Sequence, residues 1–130
     1  MTIQPVERTV EKILIVGCSK TMDDICIGCS RCLVGFNRKQ GAFEAYQGKD
    51  VELIGLLGCG DCPGQGVVVR LAQFKLWNAP MEEKPTAIHV APCIVQHCPH
   101  KDTLIKKIEA KAGVPVVEGT HPYLPADIFA

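Results

Sequence analysis

Residues 51–66 read VELIGLLGCGDCPGQG, an apolar run that stops on two cysteines. Within residues 51–57 only Glu52 breaks the apolar text, which is the pattern of a strand buried on both faces of a sheet. Cys59 and Cys62 form a C-x2-C, and Pro63 with the glycines around it opens a second apolar-periodic stretch. The pair therefore belongs on a strand-to-helix turn at the carboxyl end of a strand. Open α/β sheets place their chemistry there.

The same grammar recurs on either side. Residues 12–17, KILIVG, form a continuous apolar run that ends on Cys18 and reads as the first strand. Residues 19–30, SKTMDDICIGCS, are polar and irregular, so a loop carrying Cys26 and Cys29 is expected. Residues 31–47 suit a helix with a break at Gly41. Leu33, Val34, Phe36, Phe43 and Tyr46 are its expected core contacts, and Cys32 sits in its first turn. Downstream, Val67, Leu71, Phe74 and Trp77 recur at helical spacing over residues 64–78. Residues 86–91 make a third strand between Pro85 and Pro92, delivering Cys93 with Cys98 close behind. A helix from Asp102 presents Leu104, Ile105, Ile108 and Ala112 on one face and ends at Gly113. Residues 114–117 form a fourth strand, suited to an edge by Pro115, and His121 leaves it.

The alternation βαβαβαβ with short connections predicts a three-layer α/β fold with a four-stranded parallel sheet, flavodoxin-like or Rossmann-like. Right-handed crossovers favour the strand order 2-1-3-4. Strands one and three are then neighbours, and Cys18 faces Cys93 across the crevice. The expected organisation is one domain over residues 1–130, with residues 1–11 as an N-terminal tail and 122–130 as a C-terminal tail.

Fourteen basic and fourteen acidic residues cancel, with no block of either sign, so neither nucleic acid nor an anionic membrane surface is an expected partner. No leader pattern and no run of membrane-spanning length is visible, which points to a cytoplasmic protein. In that reducing compartment, eight cysteines in 130 residues read as metal ligands or catalytic thiols rather than a disulfide framework.

Parallel strands bring Cys18, the Cys26–Cys29–Cys32 run, Cys59, Cys62, Cys93, Cys98 and His121 to one edge. The C-x2-C-x2-C run is the tri-thiolate spacing of iron-sulfur sites. Completed by Cys18 it makes one four-cysteine site, of 4Fe-4S type, and Cys59, Cys62, Cys93 and Cys98 make a second. One site with spare thiols fits the same count, and zinc-thiolate ligation is the alternative. An iron-sulfur centre here implies electron transfer, sensing, cluster delivery or cluster-based catalysis, with a redox or cluster-transfer protein as partner. A thiol-disulfide oxidoreductase using Cys59 and Cys62 is a further alternative, since a thiolate is stabilised at a helix N-terminus. His121 is a ligand or acid/base candidate, His97 and His100 read as loop residues, and His89 reads as a hydrogen-bonded core residue. Lys20, Arg31 and Arg38 read as solvated charges near the cysteine loop.

Laid out this way, the chain resembles the CGGC-domain family of small predicted metal-binding proteins. KILIVGC, GAFEAY, VELIGLLGCGDCPG, the CPH at residues 98–100 and VVEGTH carry the resemblance, in order, from Lys12 to His121. Asp61 stands where the family motif has its second glycine, a replacement that a turn tolerates. The resemblance implies metal binding through Cys18, Cys59, Cys62, Cys93, Cys98 and His121, with zinc the metal usually expected for the family. It implies no particular reaction.

Overall fold

A computed structural model of the chain describes residues 10–24 and 30–120. Its elements are β1 (Glu11–Gly17), α1 (Ser19–Asp24), α2 (Ser30–Arg38), a 3-10 helix (Gly41–Tyr46), β2 (Val51–Gly58), α3 (Val67–Asn78), a 3-10 turn (Ala79–Met81), β3 (Ala87–Val90), α4 (Pro92–Val95), α5 (Lys101–Ala112) and β4 (Val116–Glu118). All strand pairs are parallel and the order is β2-β1-β3-β4, as expected.

Successive side chains of a strand point to opposite faces. In β1 this sends Leu14 and Val16 to one core with Val67, Leu71, Leu104 and Ile108, and Ile13 and Ile15 to another with Phe36 and Phe43. The four β1 side chains are fully buried, each contributing about 1.5–3 kcal/mol by area removed from water. Helices α3 and α5 cover the first face side by side, while α2 and the longer 3-10 helix cover the second.

Three local expectations differ from the structure. Residues 19–24 are helical rather than loop, because Met22 N–H bonds the Cys18 carbonyl at 2.8 Å and the Met22 side chain joins the second core. Leu33 and Val34 are exposed, and α2 instead buries Cys32, Gly35 and Phe36. Trp77 is 75% exposed. At 100° per residue it lies about 80° round the helix from Val67, off the edge of the buried stripe. Cys26, Cys29 and His121 lie outside the described residues.

Gly55 sits where β2 slips by one residue: Ile13 pairs with Leu53 but Leu14 pairs with Gly55, leaving Ile54 as the extra residue of a bulge. A Cβ on Gly55 would overlap the Phe74 ring and stand 2.7 Å from Leu14 Cδ1. Glycine inside a strand marks such close approach. Gly55→Ala is expected to cost about 1–3 kcal/mol by overpacking, read as a lower urea midpoint by circular dichroism.

His89, fully buried in β3, is the polar residue of the second core. Its Nδ1 lies 2.8 Å from the Gly119 carbonyl, which can only accept, so Nδ1 carries the proton. Neutral Nε2 then accepts from the Tyr46 hydroxyl at 2.8 Å. The ring also packs 4.7 Å from the Phe43 centroid. Burial lowers the His89 pKa below its ordinary 6.5, against the opposing effect of the Gly119 bond. A depressed histidine stabilises the fold fully above the unfolded pKa, and that stability is lost as pH falls below it. Urea midpoints should therefore decline as pH drops below about 6.5, and His89→Gln, which cannot charge, should remove this part of the decline.

Candidate metal centre

Because all strands run the same way, each delivers its next residue to one edge. Backbone pairing continues past the strand ends: Cys59 N–H reaches the Gly17 carbonyl at 2.8 Å, Ala91 N–H the Val16 carbonyl at 2.9 Å, and Gly119 N–H the Val90 carbonyl at 2.8 Å. The segments bearing Cys18, Cys59, Cys93 and Thr120 are thereby fastened to the sheet rather than hung from it.

Cys18 is the hub. Its N–H donates to Cys93 Sγ at 3.1 Å, so these two residues meet across the β1/β3 crevice. Partial burial would raise the Cys18 thiol, but the Thr21 hydroxyl, the Thr21 and Lys20 N–H groups and the Cys59 thiol all hydrogen-bond to it. Together they outweigh burial and hold its pKa below the ordinary 9.0. Thr21 was not among the expected site residues, because a 19–30 loop hid the turn of α1 that aims it.

Ser19 ties this hub to the C-x2-C turn, its Oγ accepting from Gly60 N–H at 2.9 Å. That approach requires Gly58, where a Cβ would overlap Ser19 Oγ. Beyond it the chain passes through the left-handed region at Gly60 and Asp61, each with φ 75°. The Asp61 carbonyl accepts from Gly64 N–H at 2.7 Å and from Gln65 N–H at 3.1 Å, so Asp61 acts as a turn residue. Cys59 ends up buried and Cys62 exposed.

Cys98 follows α4. Burial raises its pKa, the His100 N–H bond lowers it, and negative charge on Cys62, Cys59 and Cys18 raises it further. Cys98 thus stands near enough to the other three thiols for their charge to oppose its ionisation. Cys32 lies elsewhere, buried on the α2 face with its Sγ 3.1 Å from Thr120 Oγ1. Cys93 packs against both cores. None of the six described cysteines is in a disulfide. Among the described residues, no three His, Cys, Asp or Glu side chains are close enough together to hold one metal ion without moving. The donors fit a thiophilic metal in kind.

Thr120 and the His89–Tyr46 pair also escaped the sequence reading as site elements. Thr120 is held through its carbonyl, 2.7 Å from Ala42 N–H, and His89 holds Gly119 beside it. The GAFEAY and VVEGTH stretches, which carry no thiol, meet here and support Cys32. Among the described residues no helix is long and apolar enough to cross a membrane.

An uncharacterized protein of Methanocaldococcus jannaschii is 38% identical over 117 residues, covering 85% of this chain and 86% of the relative. No solved structure matches the chain. The family model of the CGGC domain matches residues 12–121, from the first residue of KILIVGC to the histidine of VVEGTH, and the chain belongs to the CGGC-domain family.

Proposed function

We propose that this chain is a metal-thiolate protein whose principal ligands are Cys18, Cys59, Cys62 and Cys98. The observation that carries this reading is the gathering of these four thiols at one sheet edge, where negative charge on Cys62, Cys59 and Cys18 opposes ionisation of Cys98. A cation among them would relieve it and hold them ionised. Cys93 Sγ, bonded by Cys18 N–H, is the adjacent thiol available as a replacement ligand.

Iron and sulfide are the preferred occupants. Thiols exceed the four that a zinc site consumes, and the two cores bury large side chains without help from a metal. A cluster would supply one-electron chemistry for transfer, sensing or delivery to a protein partner, with Cys26, Cys29 and His121 as further ligand candidates. The residues themselves do definable work: Ser19 and Gly58 hold the two thiol turns together, while Thr21 and the Lys20 and Thr21 amides lower the Cys18 pKa.

The Cys18–Cys59 hydrogen bond supports a second reading, a redox dithiol. The Cys18 thiolate would attack a small-molecule disulfide, releasing one thiol and leaving a mixed disulfide. Cys59 would then attack the Cys18 sulfur, displacing the second thiol. Two protein thiols are oxidised to one S–S bond, and the small disulfide is reduced to two thiols. Cys62, exposed beside buried Cys59, is the other thiol that could pair with it.

Metal and acid-labile sulfide content after oxygen-free purification tests the first reading. Iron and sulfide in comparable amounts with broad visible absorption are expected, and Cys18→Ser or Cys62→Ser should lower bound iron several-fold; zinc without sulfide would overturn the iron-sulfur assignment. Metal-free protein alkylated with iodoacetamide and mapped by mass spectrometry tests the thiol electrostatics. Cys18 should reach half-maximal rate below pH 9.0 and Cys98 above it, with Thr21→Ala moving Cys18 upward.

A further inference from the structure

A cavity of about 240 Å³ lies at the opposite, amino edge of the sheet. That is room for about eight waters at roughly 30 Å³ each. Its floor is Leu14 and Ile88, neighbours on β1 and β3, and Leu71 and Phe74 of α3 wall it on one side. Ala112 and Val114 wall it on the other, where α3 and α5 end.

Three ammonium groups, Lys75, Lys84 and Lys111, stand at its rim against one carboxylate, Glu83. Glu83 is already matched by Lys12, whose Nζ is 2.7 Å from Oε2. Lys75 and Lys111 sit in the last turns of their helices, where a cation offsets the helix dipole. Yet both helix ends have backbone partners as well: Ala79 N–H bonds the Lys75 carbonyl and Gly113 N–H the Glu109 carbonyl. Lys84 belongs to no helix. The rim therefore carries surplus positive charge above a floor that offers water no hydrogen bonds. Gly55 contributes by letting the Phe74 ring lie against the sheet, because a Cβ there would force the ring out toward this space.

We propose that this cavity binds a small amphipathic anion, a carboxylate carried on a hydrocarbon or aromatic body. The body lies on Leu14, Ile88 and Phe74, and the carboxylate sits among Lys75, Lys84 and Lys111. The site is remote from the thiols and does not depend on how they function.

Octanoate titrated into the full chain and followed by backbone amide NMR shifts tests this, with octylammonium and octanol as comparators. Octanoate should bind at least tenfold more tightly than either, with shifts concentrated at the carboxyl ends of α3 and α5. Ala112→Phe, which fills the cavity, should weaken octanoate at least tenfold, and Lys84→Glu combined with Lys111→Glu should abolish the preference for the anion. Equal binding of octylammonium or octanol, shifts centred on the thiol edge, or unchanged affinity in Ala112→Phe would overturn the proposal. Should Ala112→Phe fail to fold, the double charge reversal decides, and octanoate affinity that survives it overturns the site.

Discussion

Every chemically interesting position in this chain depends on four strands running the same way. A parallel sheet needs a crossover after each strand, so each strand's carboxyl end opens at one edge and each crossover begins there. Cys18, Cys59 and the Ala91–Cys93 segment are consecutive products of that rule. The hydrogen bonds from Cys59 and Ala91 back to β1 make the rule rigid, since a loop that continues the ladder moves only if the sheet does. Order 2-1-3-4 adds the crevice, placing Cys18 and Cys93 side by side.

The two edges of the sheet divide the electrostatic work. At the carboxyl edge, thiols gather and hydrogen-bond donors from α1 favour the ionised form of Cys18. At the amino edge, lysines crowd round an apolar hollow. A formal charge of zero conceals this separation, because composition sums over faces that never meet. The tightly packed centre between them, built on β1 and β3, holds the two edges at a fixed spacing.

Much of this was legible in residues. Continuous apolar runs announced the parallel strands, fully buried in the middle of β1 and in β3 but only half-buried along edge strand β2, and their positions before Cys18, Cys59 and Cys93 announced the shared edge. His89 as a hydrogen-bonded core residue followed from a polar side chain in mid-strand. What failed was local and physical. The turn of α1 was masked by polar residues, because a short helix anchored by one methionine leaves no periodic stripe to read. Cys32 looked equivalent to its neighbours in sequence, but the turn of α2 carries it to the opposite face of the sheet from Cys18. Trp77 looked like core at helical spacing, yet the buried stripe of α3 is narrow enough to exclude it. Spacing gives an angle, and only the width of the covering layer tells which angles are dry.

That outward tryptophan has an optical consequence. Trp77 is the one tryptophan of the chain and already meets water in the folded state. Its emission colour should change little when the polypeptide unravels, leaving an intrinsic fluorophore nearly blind to denaturation. Free of that background, it is well placed to report whatever settles against α3, through quenching or a blue shift, while the rest of the molecule stays spectrally silent.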